Sequence, residues 1–334
     1  MAQRSLRLLY TGGTLGMVAG PDGLVATAGI GARLRALVEP QIEVIEIEPV
    51  IDSGDAGPAL WQRLVEQVRQ AERDGAPGVV IVHGTDTLGY TAAALALAVA
   101  DVRVPVILTG AQHPLFGGAA PEPEALANLR GAVRMAGRPQ AAGVWVWFGG
   151  RLLPGVQATK VSTISAAGFA APNASAAVNR PVGDESQSER GAAQPALPGV
   201  RALLPQFTAF DADAAVGVVR VFPGMSADQL ARALGRDAGV VLQVFGSGTA
   251  PTSTAGFVEA LTEATARGQV VVAVSQALIG GVDLAAYAQS STLARAGVID
   301  GGALTVEAAL AALHFGLACG LSSAELASFI DGLV

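Results

Sequence analysis

The chain is poor in the residues that most often announce chemistry. Of 334 residues, one is cysteine and three are histidine. A sole cysteine, Cys319, excludes an intramolecular disulfide and any thiolate metal cluster. Three histidines, His83, His113 and His314, argue against a Ser-His-Asp triad and more strongly against a multi-histidine metal centre. Aromatics make up 5% and charged residues 15%, against 51% hydrophobic, so the core is mostly Ala, Val and Leu. There is no Lys/Arg-rich tract and the formal net charge is −7, which points away from nucleic acid as a partner. The most apolar run, "TAAALALAVA" (91–100), is followed by Asp101 and Arg103 and is too short to span a bilayer. The opening "MAQRSLRLLYTGGTLG" has too short an apolar run for a signal peptide. A cytoplasmic protein without membrane association is expected.

One scarcity is informative in itself. Of the 21 Lys and Arg residues, 20 are arginine and one, Lys160, is lysine. It lies in "GVQATKVSTIS" (155–165). Arginine stays protonated in any protein environment, whereas a crowded or buried lysine can lose its proton. Lysine can therefore carry a proton in catalysis and arginine cannot. The plain alternative is a solvated surface charge, and the partners have to come from elsewhere in the chain.

The first part of the chain alternates strand and helix patterns. Stretches 5–10, 42–48, 78–83, 104–110 and 141–148 read as strands; 31–38, 58–75, 88–100 and 123–137 read as helices. The helix opened by Pro58 has apolar positions 60, 61, 64, 65 and 68, a helical period. Strands apolar throughout and separated by helices imply a parallel sheet covered on both faces. From 170 to 199 the chain is polar, rich in Pro and Gly, and aperiodic, as a long loop or linker would be. Strand patterns return at 216–222, 238–245 and 269–276, and Ser226/Gln229 and Ser322/Glu325 are capping-box pairs. The expected fold class is α/β: a larger N-terminal, doubly wound, mostly parallel domain (1–180), a linker (181–212) and a smaller C-terminal α/β domain (213–334).

Ligands of open parallel sheets bind beyond the carboxyl ends of the strands. The first four strands run into "TGGT" (11–14), "IDSGD" (51–55), "HGTDT" (83–87) and "GAQ" (110–112). Every exit carries glycine and a hydroxyl, carboxylate or amide, and three carry Thr or Ser. Glycine lets a substrate approach the backbone and leaves N–H groups for an oxyanion. Each piece has a plain reading too: "TGGT" as a turn, Thr85, Asp86 and Thr87 as caps of the next helix, Ser53 and Asp55 as caps of the helix near Pro58. "TGGT" has neither dinucleotide-fingerprint nor P-loop spacing. With histidine scarce, Lys160 is the available base for a threonine nucleophile, and an aspartate could orient its ammonium form.

"TGGTLG", "HGTDTLGYTA" and "ATK" together resemble the bacterial L-asparaginases, in particular the cytoplasmic type I group. The stretches 217–228, 245–251 and 294–314 agree, and the resemblance covers nearly all of the chain but the linker. It implies hydrolysis of L-asparagine to L-aspartate and ammonia, with no cofactor. Thr14 matches the primary nucleophile. Thr85, Lys160 and Asp86 match the second catalytic threonine and its triad, and Asp86 also the residue holding the substrate's α-ammonium. Ser53 matches the contact to the α-carboxylate. Backbone N–H groups near Gly13 and Thr85 would hold the oxyanion, and Gly84 and Ala111 join Gly13 and Ser53 as substrate-binding positions. Self-association as a homodimer or homotetramer, with the site at an intersubunit cleft, is implied as well, in agreement with the mean hydropathy of +0.46. Residues 15–29 match a mobile lid.

There are departures. Leu24 stands where many members carry a lid tyrosine; Tyr10 lies on a strand and is not assigned that role. "GGAAPEPEA" replaces an Asp-Gly pair, Gly54 a longer polar side chain, and Thr249 a common asparagine. The alternatives are a dual glutaminase-asparaginase, the amidase subunit of a tRNA-dependent amidotransferase, or a non-catalytic asparagine sensor.

Overall fold

A computed structural model describes residues 5–38, 41–118, 120–176, 178–181 and 197–333. The chain divides into two compact units, Met1–Ala196 and Leu197–Val334. In the first, β1 (Leu6–Gly12) leads to a hairpin of β2 (Val18–Gly20) and β3 (Gly23–Val25), then α1 (Gly31–Arg35) and β4 (Ile42–Ile51). Next come α2 (Pro58–Arg73), β5 (Val79–Val82), α3 (Leu88–Ala98), β6 (Pro105–Thr109), α4 (Pro123–Ala136) and β7 (Gly143–Phe148). They are followed by β8 (Arg151–Pro154) and a short antiparallel pair, β9 (Thr159–Lys160) and β10 (Phe169–Ala170).

Six strands form one sheet in the order β4-β1-β5-β6-β7-β8. The central strands β5 and β6 are buried along their whole length: Val79, Val80, Ile81 and Val82 of β5 have no exposed surface. The edge strand β4 is covered only in part: Ile42, Val44 and Ile47 are buried, and Glu43 and Glu48 are exposed. Charge on an edge discourages further strand pairing. Every pairing is parallel except β7 with β8. That exception was not read from the sequence. It arises at Gly149 and Gly150, whose φ of 55° and 76° make a two-residue hairpin turn that other residues resist.

The helices cover the sheet as their patterns dictate. α2 buries Leu60, Trp61, Leu64, Val65, Val68 and Ala71, the stripe expected from the spacing. Each fully buried Leu or Val there contributes roughly 1.5–3 kcal/mol. α3 buries every residue but Tyr90, so its alanines allow close packing all round.

The second unit opens with α5 (Pro198–Leu203) and continues β11 (Val216–Arg220), α6 (Ala227–Leu234), β12 (Gly239–Val244), α7 (Phe257–Ala266) and β13 (Val270–Ser275). α8 (Ala288–Arg295), β14 (Ile299–Asp300), α9 (Val306–Ala318) and α10 (Ser323–Asp331) complete it. Its sheet is β11-β12-β13-β14, all parallel. Both capping boxes form, at Ser226/Gln229 and Ser322/Glu325. Of the expected linker 181–212, residues 182–196 lie outside the described residues. Residues 198–206 are not irregular, however: they form α5 and a 3-10 turn, with Val200 buried. The apolar "VRALL" (200–204), directly after the polar stretch 170–199, supplies most of that helix.

Candidate active site

Four strand exits of the first unit bring the candidate residues into place. β1 ends in Gly12–Gly13 and a 3-10 turn, Thr14–Gly16, closed by Gly16 N–H to Gly13 O (3.1 Å) and Met17 N–H to Thr14 O (3.1 Å). Thr14 is half-buried at the head of this turn. The backbone of Gly13 lies directly against Gly84: a Cβ on Gly13 would fall 2.2 Å from Gly84 Cα. A Cβ on Gly84 would fall 2.4 Å from Ser53 Oγ. Three exits therefore meet where two residues have no side chain. Thr14 and Thr85 each follow one of the touching glycines in the chain.

Lys160 reaches this point from β9. Its Nζ donates to Thr85 Oγ1 at 2.8 Å and to Asp86 Oδ1 at 2.6 Å. Thr85 is buried, the Lys160 side chain is 18% exposed and that of Asp86 70% exposed. The hydroxyl thus sits inside, the carboxylate outside, and the amine between them. Ser53 is buried, and its carbonyl accepts from Thr87 Oγ1 (2.7 Å). Ala111 is buried at the β6 exit, beside Gly110, where a Cβ would lie 3.3 Å from Thr85 Cγ2.

Two plain readings are corrected here. Thr87 stands at the N-cap of α3, but its hydroxyl bonds to Ser53 O and caps nothing. Ser53 and Asp55 do not cap α2. They lie in their own 3-10 turn, Gly57 is the N-cap, and Pro58 at the first turn lacks an N–H to be capped.

Sequence reasoning missed the groups that hold these loops. His83 is fully buried and its pKa is pushed down to about 4 by that burial, partly offset by its bond to Gly84 O. A neutral ring must donate from Nδ1 to Gly84 O (2.8 Å), so Nε2 accepts from Thr91 Oγ1 (3.0 Å), which accepts from Trp61 Nε1 (3.1 Å). The chain fixes the carbonyl preceding Thr85. Glu46, beside Tyr10 in the β1–β4 register, accepts from Gly29 N–H (2.8 Å) and Gly31 N–H (2.5 Å) and so pins the far end of the 15–29 segment. The near end is tied by Leu115 N–H to Leu15 O (2.9 Å). Between them, β2 and β3 pair, and Leu24 is 51% exposed. Tyr10 is wholly buried with its hydroxyl under Gly16, and that hydroxyl finds no hydrogen-bond partner among the described residues. Burial first, then Glu46, raises its pKa. Among the described residues, no three His, Cys, Asp or Glu side chains gather to hold a metal ion, and no helix is long and apolar enough to cross a membrane.

Two units, each built on a largely parallel sheet with helices, and a lysine-linked threonine and aspartate at the strand exits of the first, define the class as a two-unit α/β protein. Comparison with known proteins narrows the class. Residues 5–190 match the family model "Asparaginase, N-terminal" and residues 215–329 match "Glutaminase/Asparaginase C-terminal domain". The chain is 34% identical to L-asparaginase 1 of Escherichia coli over 94% of its length and 92% of that protein's. Its fold is similar to that of L-asparaginase I from Vibrio cholerae, with TM-score 0.76, 30% identity, and 98% of this chain and 97% of that one covered. The thermostable L-asparaginase from Thermococcus kodakarensis is similar at TM-score 0.79 and 28% identity, with 98% and 96% covered. The chain belongs to the asparaginase family, in its type I L-asparaginase group.

Proposed function

We propose that the chain hydrolyses L-asparagine to L-aspartate and ammonia through a threonine acyl-enzyme. The observation that carries this reading is Lys160 Nζ bridging Thr85 Oγ1 and Asp86 Oδ1. Thr14 Oγ1 attacks the side-chain amide carbon and its proton leaves through the neighbouring hydroxyl–amine pair. The N–H groups near Gly13 and Thr85 hold the oxyanion, a contribution worth about 10²–10³ in rate per donor. The tetrahedral intermediate collapses: the proton passes to the leaving substrate nitrogen, the C–N bond breaks, and ammonia departs. Water, relieved of a proton by Thr85 and Lys160, then attacks the ester, and Thr14 regains its hydrogen as aspartate leaves. Asp86, the most exposed of the set, holds the α-ammonium; Ser53 meets the α-carboxylate; Gly84 and Ala111 line the substrate.

The 15–29 segment acts as the lid, hinged between its ties at Leu15 and Glu46. The chain works in the cytoplasm as a homodimer or homotetramer. The exposed Ile164 of the first unit and Phe222, Leu278 and Ile279 of the second are apolar side chains that a subunit contact would cover.

The test is ammonia release from L-Asn, L-Gln and D-Asn, with Thr14→Ala as control. L-Asn turnover that vanishes in the variant is expected. Comparable rates on L-Gln would make it a dual glutaminase-asparaginase. Asparagine binding with no ammonia would make it a sensor.

A further inference from the structure

Lys160 stands at the end of a strand of two residues, and the loop 161–168 follows it directly. The loop closes on itself: Val161 and Ser162 N–H donate to Gly168 O (2.8 and 3.3 Å), and Ser162 Oγ accepts from Ile164 and Ser165 N–H (3.3 and 3.0 Å). What joins it to the β6 exit is Gln112. Its Nε2 donates to Ser162 O at 3.2 Å and Ser165 O at 3.3 Å. A Cβ on Gly168 would come within 2.5 Å of that nitrogen, so the loop wraps the amide only because residue 168 has no side chain.

Gln112 is itself held from behind. Its backbone N–H donates to Glu124 Oε2 (3.1 Å). The other oxygen of Glu124 accepts from Asn128 Nδ2 (2.7 Å), one turn further along α4. Asn128 is buried; its Nδ2 also donates to Gly110 O (3.0 Å) and its Oδ1 accepts from Gly149 N–H (3.0 Å). Both ends of Gly110–Gln112 are thus fixed to α4, and the same brace reaches the turn after β7. The brace spans from a rigid helix to the loop that carries the amine.

We propose that Gln112, clamped by Glu124 and Asn128, is the positioning residue that aims Lys160 at Thr85 and Asp86. This rests on the reading of Lys160 as the proton carrier. The side-chain hydrogen bonds of Gln112 go to the loop, at Ser162 O and Ser165 O, and it acts through that loop. Displacing a catalytic group by an ångström from a distance can cost about 10²-fold in rate.

Because Lys160 is the sole lysine, protein labelled with ¹³C at lysine Cε carries one side-chain resonance, which reports the amine directly. Gln112→Met keeps the length and removes both donors. The expected result is a shift of that resonance toward the free-lysine position, faster amide exchange over 161–168, and a kcat on L-Asn lowered at least about tenfold with KM within about threefold. Glu124→Gln keeps one acceptor, so it should move all three in the same direction by less, and it serves if Gln112→Met does not fold. An unmoved lysine resonance in a folded variant overturns the proposal, whatever kcat does, because a fall in kcat alone would mark a merely structural role. If the unaltered protein releases no ammonia from L-Asn, the functional reading fails, and resonance and exchange still decide the positioning role.

Discussion

The two units use one architecture to different ends. Each is a sheet with parallel strands that exit into glycine turns bearing hydroxyls, the first with one antiparallel strand at its edge. In the second unit, "FGSGT" after β12 has Thr249 Oγ1 donating to Phe245 O (3.5 Å), and Ser275 Oγ at the end of β13 donates to Gly246 O (2.6 Å). The Thr249 hydroxyl stabilises its own turn, and that of Ser275 ties its strand end to the neighbouring turn. In the first unit, "HGTDT" after β5 has Thr85 Oγ1 accepting from an amine brought in by a separate element, and Asp86 sharing it. The turn alone is scaffolding. What sets the first apart is an amine brought to its turn from a distant part of the chain.

That contrast can be broken at several points. The largest effect belongs to Thr85→Val, which keeps the shape and deletes the hydroxyl. Ammonia release should fall about 10²–10⁴-fold, measured at saturating L-Asn, and a rate within fivefold would deny the first unit its distinction. Acid should expose a likeness instead. Each unit buries a histidine, His83 and His314, and both are pushed down to about 4, by burial first. The unfolded chain, with histidine near 6.5, binds more protons than the folded one across this window. Stability is therefore complete above about pH 6.5 and is lost as pH falls toward 4, by on the order of 3 kcal/mol per histidine. Urea unfolding at pH 7.5 and 4.5 measures it, and His83→Gln should flatten the first unit's share. Ser275→Ala tests the scaffolding role: about 1 kcal/mol of stability lost, with kcat unchanged. The smallest effect is at Tyr10. Removing a buried hydroxyl without a partner, Tyr10→Phe, should leave stability unchanged or raise it by up to about 1 kcal/mol. A loss of more than that in thermal unfolding would mean the hydroxyl has a partner.

Period and composition carried the layers of the fold into view. The α2 stripe at 60, 61, 64, 65 and 68 is buried residue for residue, because a helix packed on a sheet has only one way to hide such a pattern. Capping boxes were legible for the same local reason. The antiparallel β8 was not, since "FGGR" signals a hairpin only once both glycines are known to have positive φ. α5 was hidden inside a stretch whose average composition is that of a linker. At the site, Lys160 stood out by rarity and the threonines by their place after strands. The supports did not. Gln112 is separated from the carbonyls it holds by 50 and 53 residues, and nothing local in "GAQ" or "PEALAN" marks a bond to Ser162 O. The one faint signal was Glu124 and Asn128 at i and i+4, a polar pair partly on a buried helix face.

The measurement that bears most directly on the central claim is the steady-state rate of Lys160→Arg on L-Asn, taken beside circular dichroism of the same sample. The variant keeps a positive charge beside Asp86 and loses a nitrogen able to give up its proton. A folded protein with ammonia release down about 10²–10⁴-fold is the result expected of a proton carrier. A folded protein working at near-normal rates would contradict it, and would leave the lone lysine as nothing more than a fixed charge.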